Sequence, residues 1–80
     1  MNPETFVQFG QVIEALIGRG YRCQDAGSTK ESVWADFVWD IEGEKWMSVN
    51  ANWEDVTITD TTDPDHPKTV AIESIIGGKE

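Results

Sequence analysis

Several things are scarce in this chain of 80 residues. It has one cysteine, Cys23, and one histidine, His66. A lone cysteine excludes an internal disulfide and fits a reducing compartment. A lone histidine leaves no imidazole pair for a transition metal. No apolar run approaches the ~20 residues that span a bilayer as a helix. No basic segment followed by an apolar one stands near the start, so neither a signal peptide nor a membrane anchor is expected, and a cytoplasmic location is. Positive charge is scarcest of all: six lysines and arginines face fifteen aspartates and glutamates, a net charge of −9.

The imbalance is local. Between Glu31 and Asp65 lie ten acids (Glu31, Asp36, Asp40, Glu42, Glu44, Glu54, Asp55, Asp60, Asp63, Asp65) and one base, Lys45, a balance of 1 − 10 = −9; the rest of the chain holds five of each and cancels. Such a field disfavours nucleic acid and anionic membrane as direct ligands. It favours a basic partner and fast, salt-sensitive association.

The same stretch carries all four tryptophans and the clearest patterning. Val33, Ala35, Phe37, Trp39 and Ile41 occupy alternate positions, with Trp34, Asp36, Val38 and Asp40 between them. Strict alternation indicates a half-buried strand. Gly43 marks a turn in Glu42-Gly43-Glu44, and Met47, Val49, Ala51 and Trp53 then alternate with Trp46, Ser48, Asn50 and Asn52. An odd loop over Glu42–Glu44 pairs Trp39 with Met47, Phe37 with Val49, Ala35 with Ala51 and Val33 with Trp53, which makes one face wholly apolar. Trp39 and Trp53 are therefore expected in the core. Val56 and Ile58, alternating with threonines, predict a further strand after a turn near Glu54-Asp55.

Around this hairpin the chain reads simply. Asn2-Pro3-Glu4 starts a helix, and Phe6, Phe9, Ile13, Leu16 and Ile17 form its apolar stripe. Gly18-Arg19-Gly20 stops it. Gly10, inside the helix, suggests a close approach to a strand. Tyr21 to Gln24 reads as a short strand with Cys23 as a small core residue, and Asp25 to Lys30 as a loop. Asp60 to Pro67 is a proline-stiffened acidic loop. Lys68 to Gly78 supports either a short C-terminal helix, which Pro67 and Gly77-Gly78 would bound, or an extra strand. Residues 1–80 are thus expected to form a single small α+β domain. Its N-terminal helix packs on one face of a 3–4-stranded antiparallel meander, ending in a short helix or, alternatively, an extra C-terminal strand.

Chemistry finds little footing. Asp60, Asp63, Asp65 and His66 crowd one loop, but the glycine and terminal glutamate of a calcium-binding loop are missing, so a solvated turn is the plainer reading. Asp36 and Asp40 lie about 13 Å apart on a strand, beyond the usual separations of paired catalytic carboxylates. Cys23 and His66 are distant in sequence. Neither a catalytic site, a metal site nor a cofactor is expected, and the protein is not expected to be an enzyme.

A surface remains. Parity sets Trp34 and Trp46 on the second sheet face, among Asp36 and Asp40, with Glu42 and Glu44 at the rim. Indoles inside a charged rim suit a protein–protein contact. The expectation is a small acidic binding module, an inhibitor that occludes a basic, nucleic-acid-binding surface of a partner such as a nuclease. Along one strand the acids fall at roughly 7–13 Å, wider than the ~3.4 Å phosphate repeat, so imitation of nucleic acid would need neighbouring strands to fill the gaps. In size and charge, though in no motif, this resembles the general style of phage anti-defence proteins and nuclease immunity proteins. The alternative is an assembly subunit, with a homodimer as its simplest form, that self-associates through exposed tryptophans.

Overall fold

The computed structural model describes residues 2–40 and 43–77. Helix α1 (Pro3–Gly18) is followed by strands β1 (Arg22–Ser28), β2 (Val33–Trp39), β3 (Lys45–Ala51), β4 (Val56–Asp60) and β5 (Lys68–Val70), then by a single π-helical turn, Glu73–Gly77. The strands form one antiparallel sheet in chain order, β1-β2-β3-β4-β5. The fold is α+β, as the sequence predicts, with one strand more than the meander expected. Both readings of the C-terminal segment hold in part: Lys68–Val70 pairs with β4 as the extra strand, and the residues after it coil into the turn.

Local chemistry sets the ends of α1. Asn2 Oδ1 accepts from the Glu4 amide at 2.9 Å. At the other end the Gly20 amide donates to Ile17 O and the Tyr21 amide to Leu16 O, both at 3.0 Å, with Gly20 at φ 100°. That pair of bonds is a Schellman cap, and its left-handed residue requires glycine.

The core lies between α1 and the odd-numbered face of β2 and β3: Val12, Leu16, Ala35, Phe37, Val49, Ala51, Val56, Ile58 and Ile75. The helix stripe is rotated from the expected one. Thr5, Val12 and Leu16 are buried, Phe9 and Ile13 partly so, whereas Phe6 and Ile17 stay 63% and 54% exposed. The cause is the C-terminal turn, which packs beside α1: Ile72, Ile75 and Ile76 lie with Gln8, Gln11 and Ala15, and Arg19 donates to Ser74 O and Ile75 O at 2.8 and 3.0 Å. Apolar contact on that flank turns the opposite one to solvent. Gly10 makes no close approach to a strand, since a Cβ there would meet nothing within 4 Å.

The hairpin keeps the expected parity and slips by one pair. Trp39 pairs with Lys45, Phe37 with Met47, Ala35 with Val49 and Val33 with Ala51. Both ends explain the slip. Asn52 Oδ1 accepts from the Glu54 and Asp55 amides at 2.8 and 3.0 Å, so β3 stops at Ala51 and Ala51 pairs with Val56. At the other end Lys45 Nζ sits 4.9 Å from the centre of the Trp39 ring. Trp53, expected in the core, therefore rides in the loop and is 54% exposed; Trp39 is half-buried at the margin of the sheet. Cys23, expected as a core residue, is exposed because β1 lies beyond the cover of the helix.

Candidate functional site: the open face of the sheet

The even-numbered face of β2 and β3 points away from α1, and no helix or strand among the described residues packs over it. Register arranges it in rows. Gly27, Trp34, Asn50 and Thr57 form one; Asp25, Asp36, Ser48, Thr59 and Thr69 the next; Arg22, Val38 and Trp46 the third. The two indoles thus sit diagonally across the Asp36–Ser48 pair. Val38 is 2% exposed yet stands outside the helix-side core, so its cover comes from its own face, between Arg22 and Trp46. Trp34 and Trp46 are half-buried, which is what indoles lying against a sheet would show.

Each tryptophan has a local reason for its place. An ideal Cβ on Gly27 would come within 2.7 Å of Trp34 Cζ2, so the indole lies directly on the bare glycine across the strand pair. Gly27→Ala should retain the fold, because Gly27 is not among the residues at positive φ, but it should push the indole off the sheet. The expected readout is a red-shifted tryptophan emission with an unchanged far-ultraviolet spectrum. An unchanged emission would show that Trp34 does not rest on Gly27. Trp46 is held through its backbone: its amide donates to Thr62 Oγ1 and its carbonyl accepts from the Thr61 amide, each at 3.0 Å.

The expected rim divides into three. Asp36 lies within the face, directly opposite Asp25, an acid that sequence reasoning had assigned to a loop. Carboxylates facing each other across antiparallel strands oppose folding, and this pair has no Lys or Arg within ion-pair distance among the described residues. Asp40 is instead joined to Arg22 at 2.8 Å on the exposed surface, so part of its field is cancelled. Glu44 is exposed beside the turn, and Glu42 lies outside the described residues. The structure therefore brings Trp34, Asp36 and Trp46 together, adds Asp25, and leaves Asp40 and Glu44 at the margin.

The other acidic cluster is self-contained. In the Asp60–Pro67 loop, Asp63 Oδ1 accepts from the Asp65 amide at 3.0 Å and Asp63 Oδ2 lies 3.1 Å from His66 Nδ1. Among the described residues no three of His, Cys, Asp and Glu are grouped to hold a metal ion. Asp60 has a carboxyl held below its ordinary value of 3.8, first by the Thr62 side chain and then by the Thr62 amide, 2.9 Å from Oδ1. The stability this supplies is fully present above the unfolded carboxylate range and is lost as pH falls through the lowered value. Thr62→Val should raise the Asp60 titration midpoint, read by carboxyl NMR, and move acid unfolding to higher pH. An unmoved midpoint would exclude the Thr62 hydroxyl as the leading cause.

No helix among the described residues is long and apolar enough to cross a membrane. No protein-family model matches the chain, and neither a curated protein nor a solved structure matches it.

Proposed function

We propose that this protein is a binding module whose open sheet face occupies a basic, nucleic-acid-binding surface of a partner protein and so inhibits it. The observation that carries this reading is the placement of Trp34, Asp36 and Trp46 on a sheet face that no helix or strand among the described residues packs over, with Asp25 drawn up beside Asp36. Sheet pairing brings the two carboxylates to one interstrand separation, about 4.5–5.5 Å between Cβ atoms. That is much closer to the spacing of nucleic-acid phosphates than the gaps along one strand. The neighbouring indoles supply rigid apolar contact, and the wider acidic stretch steers a positive surface into place. Inhibition is by occlusion and needs no reaction at the site.

The test is capture followed by competition. The chain is immobilised and exposed to a cell lysate, and retained proteins are identified. The reading expects a basic protein that is released by raised salt and whose own nucleic-acid binding is displaced by this chain. Retention of a protein through Trp53 or the helix alone, unaltered by substitution at Asp25 and Asp36, would contradict it.

A further inference from the structure

Past the end of α1 the helix-side face of the sheet opens into a cleft of about 410 Å³, room enough for a small ligand. Register explains where it lies. Val49, Ile58 and Val70 form one row across β3, β4 and β5, and Val49 and Ile58 are buried in the core. Met47, Asp60 and Lys68 form the next row on the same side. The helix has ended there: no residue of α1 lines the cleft, whereas Tyr21, just past the Gly20 cap, does. Tyr21, Met47 and Asp60 are half-buried and make the floor, while Lys45 and Lys68 are exposed at the rim.

The charges of the cleft are left open. Asp60 is held ionised, and its partners are the side chain and the amide of Thr62. Lys68 faces it directly across the strand pair, yet among the described residues neither Lys68 nor Lys45 closes an ion pair on it. Lys45 is turned the other way, 4.9 Å from the centre of the Trp39 ring on the β2 side. Both lysines are near enough to favour the Asp60 carboxylate in its charged form. Burial, and then that carboxylate, push the Tyr21 hydroxyl up, so it stays a donor. The Asp63 carboxylate beside them is already taken by the Asp65 amide and His66.

We propose that this cleft is a binding site for a free α-amino acid with an apolar side chain, its ammonium on Asp60, its carboxylate on Lys68 and the Tyr21 hydroxyl, and its side chain against Met47 and the Tyr21 ring. Charge selects a zwitterion. A simple amine is opposed by Lys45 and Lys68, and a simple carboxylate by Asp60 and by the field of a chain of net charge −9. A molecule with both charges and no net charge escapes both penalties. Spacing selects the α-amino acid. Asp60 and Lys68 stand one interstrand separation apart, about 4.5–5.5 Å between Cβ atoms, which suits two charged groups carried on one carbon. Met47 gives the apolar side chain a pliable wall. The inference holds whatever the open face on the other side of the sheet binds.

Titration of the full chain with L-leucine, followed by amide NMR, tests it. Saturable shifts are expected at Met47, Asp60 and Lys68, with a Kd at or below about 1 mM. Isoamylamine, which lacks the carboxylate, and isocaproate, which lacks the ammonium, should each bind at least ~10-fold more weakly, the cost of leaving a charged group without its partner. Asp60→Asn, which can still accept from the Thr62 amide, and Lys68→Gln should each weaken leucine by a similar factor and keep the circular dichroism spectrum. Asn50→Arg, on the open face, should leave leucine binding unchanged. No saturable shift up to about 20 mM leucine, isoamylamine or isocaproate bound as tightly as leucine, leucine binding indifferent to the two cleft variants, or leucine binding lost in Asn50→Arg would each overturn the proposal.

Discussion

Phe37→Ala is expected to destabilise the domain by about 3–5 kcal/mol, the usual cost of removing a buried phenylalanine. Phe37 is the largest of the fully buried side chains and stands in the middle of β2, against the helix and Val49. A domain of 80 residues has roughly 4–12 kcal/mol in hand. The loss therefore takes a large share of the total and should lower the melting temperature by roughly 15–30 °C. No neighbour can close the gap cheaply: β-strand backbone lies on either side, and the residues above it on α1, Val12 and Leu16, are themselves fully buried. Thermal unfolding monitored by circular dichroism gives the answer. A loss below about 1 kcal/mol would place the core elsewhere.

The second large effect concerns the open face. Trp46→Ala should weaken binding of the retained partner by at least ~2 kcal/mol, roughly 30-fold, as truncation of a central aromatic anchor does. The loss should appear mainly in the dissociation rate, since apolar contact acts after encounter. Asp25→Lys with Asp36→Lys should act mainly on the association rate, because those carboxylates belong to the steering field. The double change exchanges two opposed anions for two opposed cations at the same paired position, so the variant should fold about as stably as the parent. Surface plasmon resonance resolves the two rates. Binding indifferent to both substitutions would remove the open face from the contact.

How much of this was legible in the sequence depends on which interaction decided each feature. Alternation from Val33 to Trp39 fixed which side chains share a face, because a one-residue slip would bury Asp36 and expose Phe37. A two-residue slip carries no such penalty, and hydrophobic pattern alone could not choose between registers of equal parity. The choice fell to an Asn52 side chain that closes its own turn and to Lys45 stacking on Trp39. The helix stripe was misjudged by a small rotation for a similar reason. Phe6 and Ile17 are as apolar as Val12, and only the position of the C-terminal turn decides which of them faces the sheet.

β1 was the larger omission. Asp25-Ala26-Gly27-Ser28 has the composition of a loop, yet it pairs with β2 along its length. Its glycine is there to accept Trp34, a long-range reason that local propensity does not contain. An isolated glycine upstream of an unpaired tryptophan was the available signal. With β1 missed, Asp25 was missed too, and with it the closest approach of two carboxylates on the open face. Parity did place Trp34, Asp36 and Trp46 together, since that inference needed the faces alone and not the register.

The most direct test is the dependence of partner affinity on salt, measured for the parent chain and for the Asp25→Lys, Asp36→Lys variant. A contact steered and held by this acidic face should lose affinity steeply between about 0.05 and 0.5 M salt, as the screening length contracts from roughly 14 to 4 Å. The variant should start weaker and lose much less. Two flat curves, or two that fall together, would contradict the claim that the open face of the sheet binds a basic surface.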